Sequence, residues 1–463
     1  MKNAIIKKKV FWIQVELESP LNISSGKEDI TDSDVIRDYD GTLFVPASSL
    51  AGAMRAYLKK EKDEPCLFGY SKDNINNKNN EYNINSENNT DGKMSVLFLS
   101  DMNFEGNPEV SVRDGVELNE KKTAVTGSKY AVEIIEAETQ ASFYAELTIR
   151  QNDKTVNKKT NEKIDKEEEY KKDFAAIIKG IHTGEIRFGS KKTRGFGKLK
   201  ICHIASREFN KNNYLEYANV YQDKEQWKAQ KNEMDEWLAL ADKESQYLHL
   251  QVPLQLEGGI SIRQYSAIKD DPDFVHITNS KRKAVIPGSS FAGAIRHRLK
   301  DILLKLKEQG LDVNVDNILN TMFGYVEKDT AHLSMIIISE SKIEGAKALT
   351  MTRTGISRFE SAAKDKTLFT EKTYVDGTVE LNILIKKGMY KEQEWILGLL
   401  LLAVEDLRNG FLAVGGATAI GRGIFKENGA VLLDGKELNI HAEIAKSFQF
   451  LKWGIFEEGR KKA

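Results

Sequence analysis

Val45-Pro46-Ala47-Ser48-Ser49-Leu50-Ala51-Gly52-Ala53-Met54-Arg55 returns, without a gap, as Ile286-Pro287-Gly288-Ser289-Ser290-Phe291-Ala292-Gly293-Ala294-Ile295-Arg296. The offset is a constant 241 residues, Arg55 to Arg296. That period lies far beyond the roughly 20–50 residues of solenoid repeats, so the repeating unit is a domain. Two copies of a domain imply two copies of a binding surface.

The repeat extends outward. Leu67-Phe68-Gly69-Tyr70 answers Met322-Phe323-Gly324-Tyr325, and the apolar run Met94–Ser100 answers Leu333–Ser339. Val112-Arg113-Asp114-Gly115-Val116 then faces Thr352-Arg353-Thr354-Gly355-Ile356. Each half closes on a glycine-rich segment and a strand, Phe188–Leu199 and Val414–Phe425. Landmarks in the same order through both halves exclude coincidence.

Bulk properties agree. A chain of 463 residues exceeds one core and fits about two to four domains at roughly 150 residues each. The 40% apolar content suffices for globular cores. No apolar run approaches the ~18 residues of a membrane span. The N-terminal Met1–Lys9 has neither the apolar core nor the cleavage site of a signal peptide. Two cysteines, Cys66 and Cys202, make no disulfide framework or Cys-rich zinc site, and both read as buried thiols of a cytoplasmic protein.

Net charge is −1, which argues against indiscriminate polyanion binding. The distribution is uneven. Gly189–Lys200 holds Lys191, Lys192, Arg194, Lys198 and Lys200 with no acid, and Lys281–Lys300 holds six basic residues with no acid. Basic clusters inside repeated motifs of a neutral chain mark a defined polyanion path.

The chain divides into a first unit (1–205), a charged helical connector (206–244) carrying Trp227 and Trp237, a second unit (245–436) and a tail (437–463). Asparagine-rich Asp73–Asp91 reads as a mobile loop. The tail's Phe448, Phe450, Leu451, Trp453 and Phe456 call for packing back or a partner. Phe11–Leu17 and Leu248–Leu254 read as half-buried strands. Pro-x-Ser-Ser opens a helix, with serine able to cap free N–H groups and Leu50, Ala53, Met54 and Tyr57 on one face. Second helices are expected near Ala175–His182 and Trp395–Leu407. Strand, helix, strands, helix, strand gives an α+β unit on the split β-α-β, ferredoxin-like plan.

These residues carry a family resemblance. The strand with its polar loop, Asp32-Ser33-Asp34-Val35-Ile36-Arg37-Asp38, Ile-Pro-Gly-Ser-Ser-x-x-Gly-x-x-Arg and the closing Gly-x-Gly together resemble the RAMP superfamily of CRISPR systems. The resemblance is nearest to the crRNA-binding backbone subunits of type III effector complexes. It implies two ferredoxin-like (RRM-like) RAMP domains in tandem with inserted loops. It also implies crRNA, target RNA and other type III effector subunits as partners, and no membrane.

Physical chemistry supports the RNA reading. A helix N-terminus offers free N–H donors and a positive dipole end. Ser48, Ser49, Ser289 and Ser290 add hydroxyl donors, and Arg55 and Arg296 lie two turns on. Lys191, Lys192, Arg194 and Arg422 can meet phosphate oxygens. Gly195, Gly197, Gly421 and Gly423 allow close backbone approach, or simply serve tight turns.

The resemblance also implies catalysis, because the family's target-cleaving subunits carry an aspartate before the Val-Ile-Arg stretch. That residue is Asp32. In the second unit, placing Phe274 and Val275 on the Val-Ile pair selects Asp271, with Asp270 and Asp273 as alternatives. An aspartate can ligate Mg²⁺ or Mn²⁺ near a scissile phosphate, or assist deprotonation of a ribose 2′-OH. Three readings stand: an RNA-binding subunit that also cleaves its target, a purely structural backbone subunit, and a metal-free crRNA-processing endonuclease. The seven histidines occupy no repeated motif position, which disfavours the last. Ser/His/Asp, Walker A and HExxH patterns are absent.

Overall fold

The computed structural model describes residues 4–24, 26, 31–59, 67–69, 94–119, 123–156, 163–222, 224–241, 244–264, 271–279, 281–310, 313–327, 330–388 and 394–451. The asparagine-rich loop, Cys66, Tyr70, Asp270 and the end of the tail fall outside them. Two compact units form. Unit 1 comprises Met1–Ser111, Glu133–Ser190 and Gly197–Ser245, and unit 2 comprises Val112–Val132, Lys191–Phe196 and Gln246–Ala463. A hairpin arm and a glycine-rich turn of the first repeat count with unit 2, the connector counts with unit 1 and the tail with unit 2.

Unit 1 is a largely antiparallel sheet ordered Leu199–Asn210, Ile5–Leu17, Gln140–Arg150 and Leu97–Leu99. Helices Ala47–Lys59 and Lys166–His182 pack on it. This fourth–first–third–second order is that of a βαββαβ unit. The central strand is not half-buried, as its imperfect alternation had suggested. Phe11, Ile13, Val15 and Leu17 face one core, while Val10 and Trp12 face a second with Tyr144 and Trp227. The connector explains this. After the last strand runs on to Asn210, helix Lys224–Lys228 lays Trp227 on one face of the sheet, and helix Met234–Leu240 lays Trp237 on the other. Trp237 packs 5.1 Å from Phe11 and 5.6 Å from Phe174. A strand covered on both sides is apolar at successive positions.

Unit 2 repeats the order with Ile424–Glu427, Tyr247–Glu257, Thr378–Lys386 and Ile336–Ile338. Its helices are Gly288–Glu308 and Glu394–Arg408. Here the central strand alternates cleanly: Leu250, Val252, Leu254 and Leu256 are buried, and the intervening Gln251, Pro253 and Gln255 are partly exposed. The tail supplies helix Ile440–Leu451. It packs on Glu394–Arg408 at Gly398, where a Cβ would stand 2.1 Å from the Ser447 Cβ. Among the described residues, no helix is long and apolar enough to cross a membrane.

Candidate nucleic-acid interface

The repeated motif builds the same helix start twice. Ser49 N donates to Pro46 O and Ser290 N donates to Pro287 O, both at 2.9 Å. The serine hydroxyls are not caps. No side chain caps the start of Gly288–Glu308, and in unit 1 the Asp101 carboxylate takes the Ala47 N–H at 2.7 Å. Ser48 and Ser289 are exposed, Ser49 and Ser290 half-buried.

Apolar residues Leu50, Met54 and Leu58, or Phe291, Ile295 and Leu299, turn one side of each helix to the core. Ser48, Gly52 and Arg55 then share the outer side at i, i+4 and i+7, as do Ser289, Gly293 and Arg296. The two glycines are the informative members. A Cβ added at Gly52 or Gly293 would meet nothing within 4 Å. Glycine in a helix interior costs about 1 kcal/mol relative to alanine, and among the described residues nothing packed against either glycine offsets that cost. An open glycine beside a serine and an arginine, kept in both copies, leaves backbone bare for an incoming group. Arg296 makes only a long contact to Asn320 at 3.5 Å, and its guanidinium lies 5.9 Å from the Phe323 ring.

The glycine-rich loops divide. Gly197 (φ 74°) and Gly423 (φ 71°) are turn glycines: a Cβ would stand 1.9 Å from Phe188 O and Val414 O respectively. Gly195 (φ 102°) is pressed against backbone, with a Cβ 2.8 Å from Glu340 N and 2.9 Å from Ile338 O. Only Gly421 (φ 80°) faces open space. Of the cations expected to meet phosphate, Lys192 and Arg194 are exposed. The Lys191 ammonium sits 3.8 Å over the Tyr130 ring, and Arg194 Nη1 donates to Tyr130 Oη at 3.3 Å. Arg422 departs from expectation. It is buried and lies across Gly259, where a Cβ would meet its Nη1 at 2.0 Å, and it stands at the place of buried Phe196. Its guanidinium is a packing group.

The polar loop before each motif carries the aspartates. Asp38 N donates to Thr42 O, and Asn279 N donates to Lys283 O. Arg37 bridges Leu43 as Thr278 bridges Ala284. Both pairs keep the offset of the motif, which counted back sets Asp273 opposite Asp32. But Ile36 N donates to Ile23 O as Ile277 N donates to Ile262 O, and Ile23 and Ile262 are 239 apart, so the second loop is two residues longer and counted forward Asp271 stands opposite Asp32. On the C-terminal side of the loop His276, and not Phe274, stands in the ladder place of Val35. Asp32, Asp271 and Asp273 are all exposed. Asp273 Oδ2 accepts the Thr370 N–H at 2.8 Å. Neighbouring Asp34 is buried and turned inward onto Thr31 N and Oγ1 at 2.9 and 2.7 Å. No three metal-ligating side chains converge among the described residues. An exposed carboxylate suits Mg²⁺, an ion commonly held by one or two carboxylates plus substrate phosphates and water.

Several structural partners escaped the sequence reading. Glu133 receives Arg37 in a two-pronged pair (2.9 and 2.5 Å) and the Val35 N–H at 2.9 Å. The arginine of the Val-Ile-Arg stretch is therefore spent within the unit, and the pairing holds its guanidinium firmly protonated. His276 accepts the Ile262 N–H at Nδ1 (3.0 Å) and contacts Val285 O through Nε2 (3.0 Å). Burial pulls its pKa down to about 4. It is a neutral strut. Acids so far away in sequence give no local signal.

Comparison with curated proteins gives no match. The sequence model of the RAMP superfamily matches residues 14–200 and 270–426, well over half of the chain and one segment for each repeat. With that match laid over a duplicated α+β plan and a duplicated Ser–Gly–Arg helix face, the chain belongs to the RAMP superfamily, whose members are generally CRISPR RNA-binding proteins.

Proposed function

We propose that this chain is a crRNA-binding backbone subunit of a type III CRISPR effector complex, and that it also cleaves the bound target RNA. The observation that carries the binding half is the open Ser–Gly–Arg face, present on both motif helices with no packing reason for its glycine. Phosphates of the guide lie along this face. Ser48 and Ser289 donate hydroxyls, Gly52 and Gly293 leave room for the ribose–phosphate backbone, and Arg55 and Arg296 supply charge. Such contacts position a backbone without reading bases. Base pairing between guide and target then supplies specificity.

Cleavage rests on Asp32, with Asp271 or Asp273 in the matching place of the second repeat. Mg²⁺ or Mn²⁺, when bound together with RNA, supplies charge stabilisation at the scissile phosphate. Asp32 would hold that ion, or would accept the proton of the attacking 2′-OH.

The test is titration of the purified chain with unrelated guide RNAs at several salt concentrations. Arg55→Ala with Arg296→Ala weakens all guides alike and flattens the salt dependence by about two phosphate contacts. An effect confined to one guide sequence overturns the phosphate-path reading.

A further inference from the structure

One repeated landmark has no part in the phosphate path: the Phe-Gly-Tyr that ends Leu67-Phe68-Gly69-Tyr70 and Met322-Phe323-Gly324-Tyr325. In unit 2 it launches a two-stranded ribbon, Tyr325–Glu327 paired with Thr330–His332, at the end of helix Val315–Phe323. Gly324 (φ 77°) makes the exit: a Cβ there would stand 2.7 Å from His332 O and 2.8 Å from Ser334 N. The far end is tied back to the same helix. Met335 N donates to Met322 O at 3.0 Å, and the Ser334 hydroxyl lies 2.9 Å from Met322 O and 2.7 Å from Ile336 O. The root of the ribbon is thus fixed.

That root adjoins the Ser–Gly–Arg face. Arg296, the last member of the face, meets Asn320 and Phe323 at the distances given above. The Asn320 carbonyl accepts the Gly324 N–H at 2.9 Å. The residues that meet Arg296 are therefore those that launch the ribbon.

Tyr325 and His332 stand opposite each other in the register, their rings stacked with 6.2 Å between centroids and 8° between planes. Cross-strand pairing explains why the rings meet. It does not explain why His332 is exposed and Tyr325 only half-buried. Val326, which takes the opposite face by strand alternation, is 83% exposed, and Leu333 is 77% exposed. A two-stranded ribbon with large side chains in water on both faces is marginal by itself. A flat partner on the rings completes it.

We infer, resting on the RNA reading above, that the Tyr325–His332 ring pair is a stacking platform for one unpaired nucleobase of the RNA whose phosphates pass Arg296. The neighbourhood selects the occupant. Lys281–Lys300, which ends beside the ribbon root, holds six basic residues and no acid. A nucleotide offers a flat ring and a phosphate together, and the ribbon and Arg296 offer the matching pair. Every base has a π-face, so the platform adds affinity without demanding a sequence.

The probe is a single-stranded, uridine-rich RNA carrying 2-aminopurine at successive positions, bound to the full chain. Emission falls where the labelled base reaches the rings. Tyr325→Ala restores it there and weakens binding about tenfold. His332→Ala acts in the same direction, and Tyr325→Phe, which keeps the ring, changes neither. The salt slope stays that of the wild type, because no phosphate contact is lost, whereas Arg296→Ala flattens it. Removing the base at that position of the RNA abolishes the difference between wild type and Tyr325→Ala. The abasic RNA tests the same contact on the wild-type chain, so a variant that fails to fold does not block the decision. If Arg296→Ala weakens binding while Tyr325→Ala, His332→Ala and the abasic RNA change nothing, the platform is overturned and the phosphate path stands. If Arg296→Ala is silent as well, the RNA reading falls with it. A Tyr325→Ala chain that sediments differently without RNA, yet binds RNA normally, makes the ribbon a protein contact and also overturns the inference.

Discussion

The two glycine-rich loops have nearly the same backbone and opposite surroundings. Each opens its short turn with a left-handed residue, Lys191 at φ 51° or Ala417 at φ 57°. Each carries a glycine wedged on a carbonyl, Gly197 or Gly423. Between them the loops part: Gly195 is sealed against Ile338–Glu340, and Gly421 is bare. One motif thus holds two kinds of glycine. Gly197 and Gly423 are demanded by the loop itself, whichever unit it serves. The Gly195 and Gly421 position is demanded only where something packs on it.

The polar loops differ in a way that cleavage can expose. Asp32 is exposed in a loop two residues shorter than that of unit 2, where Asp271 and Asp273 are both exposed and Asp273 accepts the Thr370 N–H. In an assembled complex with labelled target RNA and Mg²⁺, Asp32→Ala removes one product band, a loss of about 100-fold or more, and leaves guide binding intact. If both units cut, Asp271→Ala or Asp273→Ala removes a second band, and which of the two does so assigns the second-site aspartate. Bands that persist in all three variants reduce the chain to a backbone subunit, and bands that survive EDTA remove the metal.

Next in size is the contrast among glycines. Gly197→Ala and Gly423→Ala each combine positive φ with a carbonyl 1.9 Å from the new methyl. Each costs about 3–4 kcal/mol in chemical denaturation. Gly421→Ala meets only the left-handed penalty, about 1 kcal/mol. Equal costs at all three positions dissolve the distinction between wedged and bare glycines.

How much of this the sequence disclosed follows from range. The duplication, the α+β plan, the motif helices and both second helices are written in local periodicity and self-similarity, and the structure has them. The buried second face of the Ile5–Leu17 strand was not legible, because its cover, Trp227, lies more than 200 residues away. The two extra residues in the second polar loop were not legible, because two apolar residues after an acid look alike in either frame, and the ladder hydrogen bonds differ in offset on its two sides. The burial of Arg422 depends on Gly259 lying beneath it, a contact between distant segments. The serines were legible as helix-start residues. That a carboxylate from Asp101 would do the capping, leaving hydroxyls open, was not.

A pH titration separates the two units at a third level. His276 occupies the ladder place of Val35, so only unit 2 carries a buried imidazole there. Its folded pKa is pulled down to about 4 from an ordinary 6.5 by burial. The unfolded chain accepts a proton that the folded one refuses. Stability is therefore complete above about pH 6.5 and falls as the pH drops toward 4, by up to about 3 kcal/mol. Urea melts between pH 7 and 4 show this slope in the wild type, and His276→Asn removes it. A slope unchanged in that variant assigns the acid sensitivity to carboxylates instead.

The smallest effect tests the likeness of the two copies. At Gly52 and Gly293 the backbone is helical, φ is ordinary, and a methyl meets nothing within 4 Å. Alanine there removes the entropy cost of glycine at no steric expense, so each substitution stabilises its unit by about 0.5–1 kcal/mol. A purely structural glycine would make that the whole story. On the RNA reading, the same methyl intrudes where the guide backbone lies, between the serine hydroxyl and the arginine. Gly52→Ala and Gly293→Ala then melt higher yet bind guide RNA several-fold more weakly. Opposite signs in the two measurements are hard to obtain by general damage to the fold, which lowers both. If affinity is unchanged in both variants, the face is open without being used. If it falls in one alone, only that copy of the motif helix carries the guide.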